Sequence, residues 1–338
     1  MELVQFLLPL IQSINENPLP EISPDISYPM LLNGKEATLA LTPTVLDAIS
    51  PELENVYEDF FEKGTVDLVE GYTKAYGDEN GIKLGAPNNP AEIETIAHEL
   101  GHSLALIINI NDKDEVKDYT TALGETSSIT AEVLATRDLY ERGIIAKLLP
   151  SRFAEVNKFC NESRYRICLG KMLDEMGIDI FGASDMEVGE VVKAYMEYPN
   201  KNEKLLSEFS SAKNDNKKRF IKNSRQHRGI ESEEAENKRF EEISQSARME
   251  TQFSLFRGES YPISVMLGMI FAKKIRAKEF TLKDVCTKMY DGKHSYGERL
   301  GNLGVPTITD DMVESFHKSA RIFYENAQTI SAWKGRDL

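Results

Sequence analysis

The chain has 338 residues, 28% of them charged and 41% hydrophobic, a balance ordinary for a globular protein with one large or two modest domains. Its formal net charge of −15 argues against non-specific nucleic-acid binding and against a role on anionic membrane surfaces. The three cysteines, Cys160, Cys168 and Cys286, have no Cys-x-x-Cys spacing, so they read as buried thiols of a reducing compartment rather than a disulfide frame or a sulfur-ligated metal site.

Residues 1–64 read as an N-terminal helical segment. The stretch Met1 to Ile11 is apolar but carries Glu2, no basic flank and no small-residue cleavage site. It reads as a packed segment rather than a signal peptide. No run is long enough to span a membrane. The expected location is cytoplasmic, with signal-independent export compatible with the same features. A connector with Pro18, Pro20 and Pro24 follows. Leu46, Ile49, Leu53, Val56 and Phe60 then recur at helical spacing and predict a helix from Pro43 to Lys63.

Residues 65–145 carry the chemistry. Thr65 to Tyr72 and Thr73 to Tyr76 look extended, Asp78-Glu79-Asn80-Gly81 is a turn signal, and Ile82 to Ala86 reads as a short strand. This predicts a small antiparallel β-hairpin or sheet. Asn89, Pro90 and Glu92 are the cap, first-turn proline and capping-box carboxylate of a following helix.

That helix contains His98-Glu99-Leu100-Gly101-His102. Residues four apart share a helix face, so the imidazoles of His98 and His102 converge, with Glu99 beside the first. Two histidines and a carboxylate base are the arrangement of zinc hydrolases, expected to hold one Zn²⁺ per chain. The chain has five histidines in all, so this spacing around a glutamate is not a common accident. Ile93, Ile96, Ala97, Leu100 and Leu104 give the helix a broad apolar face. Gly101 costs about 1 kcal/mol relative to Ala in a helix interior, which reflects either close approach by another backbone or simple tolerance.

A helix from Gly124 to Arg142 follows a polar connector. On it Glu125, Ser128 and Glu132 share one face. Glu125 is the best candidate for a third metal ligand. Glu132 is placed to accept the second ring N–H of a ligating histidine. Both residues read equally as exposed carboxylates of an acidic chain.

Residues 146–338 read as a helical C-terminal part completing a cleft. Helices broken near Gly177 and Gly182 occupy 151–196. In the charged segment 200–250, Lys213 to Arg228 is basic and Glu231 to Glu242 acidic, as in solvated surface helices or a mobile insertion. An apolar helix spans Tyr261 to Ile275. Thr281 is a cap for a helix through Tyr290, and Thr309 or Asp310 starts a last helix reaching Ser331.

His-Glu-x-Gly-His followed by Glu-x-x-Ser-x-x-x-Glu resembles the thimet oligopeptidase and oligoendopeptidase F family of gluzincin metallopeptidases. The similarity covers roughly residues 70–140, with a weaker echo at 250–275. The resemblance implies a mainly α (α+β), zincin-like catalytic domain. It implies His98, His102 and Glu125 as zinc ligands and Glu99 as catalytic base, with Ser128 and Glu132 behind them. Tyr261, heading an apolar helix after Ser260, corresponds to a tyrosine that hydrogen-bonds the substrate carbonyl oxygen. The family's substrate-pairing edge strand corresponds to Ile82, Leu84, Gly85 and Ala86. The chain departs from the family at Ala105, where many relatives carry a further histidine, and in Arg248 to Arg257, which lacks the family's upstream histidine. It is also shorter than the typical family member, so the resemblance leads one to expect the family's N-terminal helical wall to be reduced or missing.

The expected activity is therefore zinc-dependent hydrolysis of peptides or protein segments, without nucleic-acid or membrane partners. Two alternatives share these motifs. One is a selective protease, of the kind an exported effector would be, acting on one partner protein through residues 200–250. The other is a catalytically weak, zinc-bearing binding protein.

Overall fold

The structure is a computed structural model that describes residues 6–20, 45, 47–49, 66–70, 76–78, 81–86, 92–110, 125–141, 152–178, 183, 186–228, 232–249 and 260–333. The chain divides into two compact units, neither continuous in sequence. One combines residues 3–17 with 157–259, the other residues 18–156 with 260–338. The C-terminal part read from the sequence as 146–338 is thus shared between both.

In the first unit, helix α1 (Leu8–Glu16) buries Leu10, Ile11 and Ile14. It is tied through the Asn15 side-chain amide, which donates to the Cys160 carbonyl at 3.0 Å. Three of the unit's other helices are α4 (Phe153–Glu175, in this unit from Asn157), α5 (Val188–Glu197) and α6 (Glu203–Arg228). They share a core that includes Leu169, Met172, Val191, Tyr195 and Phe209. The break expected near Gly177 is there: Gly177 takes φ +69°, and the amides of Gly177 and Ile178 turn back to Asp174 and Leu173, a glycine C-cap. The charged segment forms α6 and α7 (Glu233–Ser246). Lys213 and Lys217 pair with Glu241, and Arg225 with Glu236. Three basic residues of this run thus pair with the acidic run beside it.

In the second unit, strands β1 (Val66–Glu70), β2 (Tyr76–Asp78) and β3 (Gly81–Ala86) form a sheet of order β1-β3-β2. This corrects the expected antiparallel hairpin. The described residues are overwhelmingly helical, and the small sheet is mixed. β1 runs parallel to β3 from Val66↔Ile82 to Glu70↔Ala86, while antiparallel pairing is confined to β2 against Gly81–Lys83. The turn signal at Asp78 to Gly81 governs only its immediate flanks. The longer β1–β3 ladder is a non-local contact that no local signal specifies. β3 is consequently the central strand, not an edge, although Leu84–Ala86 pair only with β1 among the described residues.

Helix α2 (Glu92–Ile110) packs beside β2 and β3 and against α3 (Thr126–Glu141). Its predicted cap, Asn89 and Pro90, lies outside the described residues, as does most of the helix expected over Pro43–Lys63. Helix α3 is held closely from two sides. A Cβ on Gly101 of α2 would meet its Ser128 Cα at 2.5 Å, and one on Gly268 of α8 (Ser260–Arg276) would meet its Thr130 amide nitrogen at 3.1 Å. Gly101 therefore reflects close backbone approach. Buried hydroxyls add to the packing. Thr126 Oγ1 meets Ser264 Oγ at 3.3 Å, and Ser127 Oγ meets the Tyr290 hydroxyl at 2.8 Å. Helices α9 (Leu282–Lys288), α10 (Tyr296–Asn302) and α11 (Asp310–Trp333) complete the unit. Thr281 caps α9 as expected, with Asp284 closing a capping box. Cys160, Cys168 and Cys286 are buried free thiols. Burial pushes the Cys168 and Cys286 thiols up to about 11 and about 12. No helix of the described residues is long and apolar enough to cross a membrane.

Candidate metal centre

Helical periodicity brings His98 and His102 together on α2, their ring centroids 4.8 Å apart and their planes nearly perpendicular. Glu125 comes from the residue that opens α3; its carbonyl accepts the amide of Ile129 in the first helical turn. Because α2 and α3 touch at Gly101, the Glu125 carboxylate falls between the imidazoles. Glu125 Oε2 lies 3.2 Å from Nε2 of His98 and 3.2 Å from Nε2 of His102. One donor atom from each residue falls within 4.8 Å of the others, so the three can hold a metal ion.

Each ligand is itself held. Ser128 Oγ donates to the Glu125 carbonyl at 2.8 Å and reaches its Oε2 at 3.3 Å. Glu132, fully buried, sets Oε2 at 3.2 Å from His98 Nδ1. Accepting that N–H would leave the Nε2 lone pair free to meet a metal ion. Glu99 is also buried, and its backbone carbonyl accepts the Ser103 hydroxyl at 3.0 Å.

The electrostatics without a metal ion show how strongly the groups interact. Burial by itself lowers the pKa of His98, but hydrogen bonds to Glu125 and Glu132 outweigh it and raise the imidazole to about 9. For Glu125, burial raises the pKa; hydrogen bonds from His102 and His98 prevail and hold the carboxylate well below its usual range. Protons bind here because negative charge is concentrated around Nε2, and the same charge favours a metal cation.

Tyr261 heads α8, and its ring stacks on that of His98 at 6.3 Å and 14°. It is 38% exposed, so it borders solvent beside His98. Burial, then the charge of Glu125, raises its pKa. One participant was missed in the sequence. Arg152 lies with its guanidinium carbon 4.6 Å from the Tyr261 ring centroid and Nη2 3.5 Å from Glu132 Oε2. A buried carboxylate at Glu132 implies a nearby cation, but 40 lysines and arginines offer no local pattern that selects this one. Ile82, Leu84, Gly85 and Ala86, expected from the sequence to form a substrate-pairing strand, lie on β3, whose backbone packs beside α2.

No protein-family model matches the sequence, and a search of curated proteins gives no match. Among solved structures, the chain is similar to the crystal structure of a "putative peptidase" from Chlamydophila abortus, with a TM-score of 0.50 and 14% identity. The likeness is one of fold. It covers 98% of this chain and 53% of the other, so this chain spans about half that protein's length.

Proposed function

We propose that this protein is a zinc-dependent peptidase of the gluzincin type, similar to the thimet oligopeptidase and oligoendopeptidase F family, cleaving peptides or flexible protein segments. The observation that carries the reading is the approach of both Nε2 atoms to Glu125 Oε2 at 3.2 Å. Donor atoms bound to one zinc through bonds of about 2.0–2.1 Å lie at comparable separations, which supports the reading. The fold likeness to a structure described as a "putative peptidase" is in keeping with it.

His98, His102 and Glu125 would hold the ion. Bound zinc supplies Lewis acidity, polarising a carbonyl and making a water acidic near neutral pH. Glu99, next to the first ligand, takes the proton of the attacking water and passes it to the leaving amine. The Tyr261 phenol donates to the carbonyl oxygen, where negative charge develops. Glu132 keeps His98 in the tautomer that presents Nε2. The backbone at Leu84, Gly85 and Ala86 aligns an extended substrate on the side away from β1, with Ile82 inside the sheet.

A peptide-library digest tests this. Zinc-loaded protein should cleave peptides, lose activity to a chelator and regain it on zinc addition. Cleavage indifferent to chelator, or none with zinc bound, contradicts the proposal. The second outcome would favour a zinc-bearing binding protein.

A further inference from the structure

We infer that Arg152 is a positioning residue joining the two sides of the centre, the carboxylate behind His98 and the phenol in front of it. The inference rests on the peptidase reading and adds a residue to it.

Glu132 is fully buried. A carboxylate stripped of water is costly unless another charge faces it. In the metal-loaded site His98 is neutral and gives Glu132 a hydrogen bond from Nδ1. The positive charge in contact with the carboxylate is then the Arg152 guanidinium, 3.5 Å away and only 15% exposed. The same guanidinium stacks 4.6 Å from the Tyr261 ring centroid. The Tyr261 ring in turn lies nearly parallel to that of His98.

These contacts form one chain, from Glu132 through Arg152 to Tyr261 and on to His98. The site thereby gains two constraints from one side chain. Glu132 is held in place against His98 Nδ1. Tyr261, on the rim, is fixed by a cation over its face instead of swinging in solvent. A planar guanidinium with several donors meets both demands; a lysine ammonium, being a compact point charge, meets only the first.

The test uses full-length Arg152→Met, Arg152→Lys, Tyr261→Phe and the Arg152→Met/Tyr261→Phe double variant. It reads zinc affinity by chelator competition, and kcat and KM on a peptide the wild type cleaves. Arg152→Met should weaken zinc binding about tenfold, the lower end of what loss of an outer partner costs, and should lower kcat with little change in KM. Arg152→Lys should restore most of the zinc affinity but not kcat. The double variant should have the kcat of Tyr261→Phe alone, because both changes remove the same positioned phenol. Should Arg152→Met not fold, the lysine variant still decides: zinc retained with kcat reduced supports the role, and unchanged kcat overturns it. Arg152→Met with zinc affinity and kcat both unchanged, or kcat losses that multiply in the double variant, overturns it as well. If the wild type binds zinc but cleaves nothing, the peptidase reading fails. The zinc affinity of Arg152→Met then still decides whether Arg152 supports Glu132.

Discussion

A single methyl group at Gly101 tests how closely the metal centre depends on the contact between α2 and α3. A Cβ there would lie 2.5 Å from Ser128 Cα, 2.9 Å from the Ser127 carbonyl oxygen and 3.0 Å from Ala131 Cβ. The two nearest atoms are backbone, so no side-chain rotation relieves the overlap. Carbon atoms pack comfortably at about 3.5–4.0 Å, so α3 must retreat by about 1 Å. Glu125, opening α3, moves with it, whereas metal–ligand distances tolerate only about 0.2 Å. Gly101→Ala should therefore weaken zinc binding by about 100-fold, equivalent to about 3 kcal/mol. It should also lower stability by about 1–3 kcal/mol through overpacking, although Ala favours a helix over Gly by about 1 kcal/mol. Chelator competition and thermal melting with and without zinc measure both effects. Gly301→Ala in α10 is the control, because a Cβ there meets nothing within 4 Å and only the helix preference should appear. If Gly101→Ala binds zinc like the wild type and melts no lower, behaving like Gly301→Ala, the close-approach reasoning is wrong.

Other outcomes follow from the charges around the site. His98 is raised to about 9, so zinc must displace a proton below that pH, and its affinity should weaken about tenfold per unit as pH falls; a flat profile between neutral pH and 9 would contradict this. In the metal-free protein the raised pKa means that His98 contributes stability below the ordinary histidine value of 6.5 and loses it as pH rises through about 9. Melting of metal-free wild type should show that loss, and His98→Ala should not. Glu132→Gln should cost about 10- to 100-fold in zinc affinity and also destabilise the fold, since it leaves the Arg152 charge without its carboxylate; unchanged binding and melting would remove Glu132 from the site. Tyr261→Phe should lower kcat about 100-fold at similar KM with zinc affinity intact, and an unchanged kcat would deny the phenol a role in the reaction.

The parts of the centre that follow short-range rules were legible in the sequence. His98 and His102 converge because four residues make roughly one helical turn, and Glu125, Ser128 and Glu132 share a face for the same reason. The cap at Thr281 and the break at Gly177 are likewise local. What was not legible depends on contacts between distant segments. The parallel ladder of β1 with β3 has no local signature, and it moves the expected edge strand to the middle of the sheet. Gly101 had two readings until the Ser128 backbone was seen against it. Arg152 lies between Glu132 and Tyr261, far from both in sequence, and nothing beside it marks it out from the other basic residues. In the charged segment, composition alone left a mobile insertion and paired helices open. The match of Lys213 and Lys217 with Glu241, and of Arg225 with Glu236, goes with the paired helices.

The central claim is that His98, His102 and Glu125 hold a zinc ion at which Glu99 drives peptide hydrolysis. The most direct measurement compares wild type with Glu99→Gln for bound zinc per chain and for cleavage of a peptide library. One zinc in each protein and hydrolysis in the wild type alone are expected. Wild-type protein without zinc, or Glu99→Gln cleaving as fast as wild type, would contradict it.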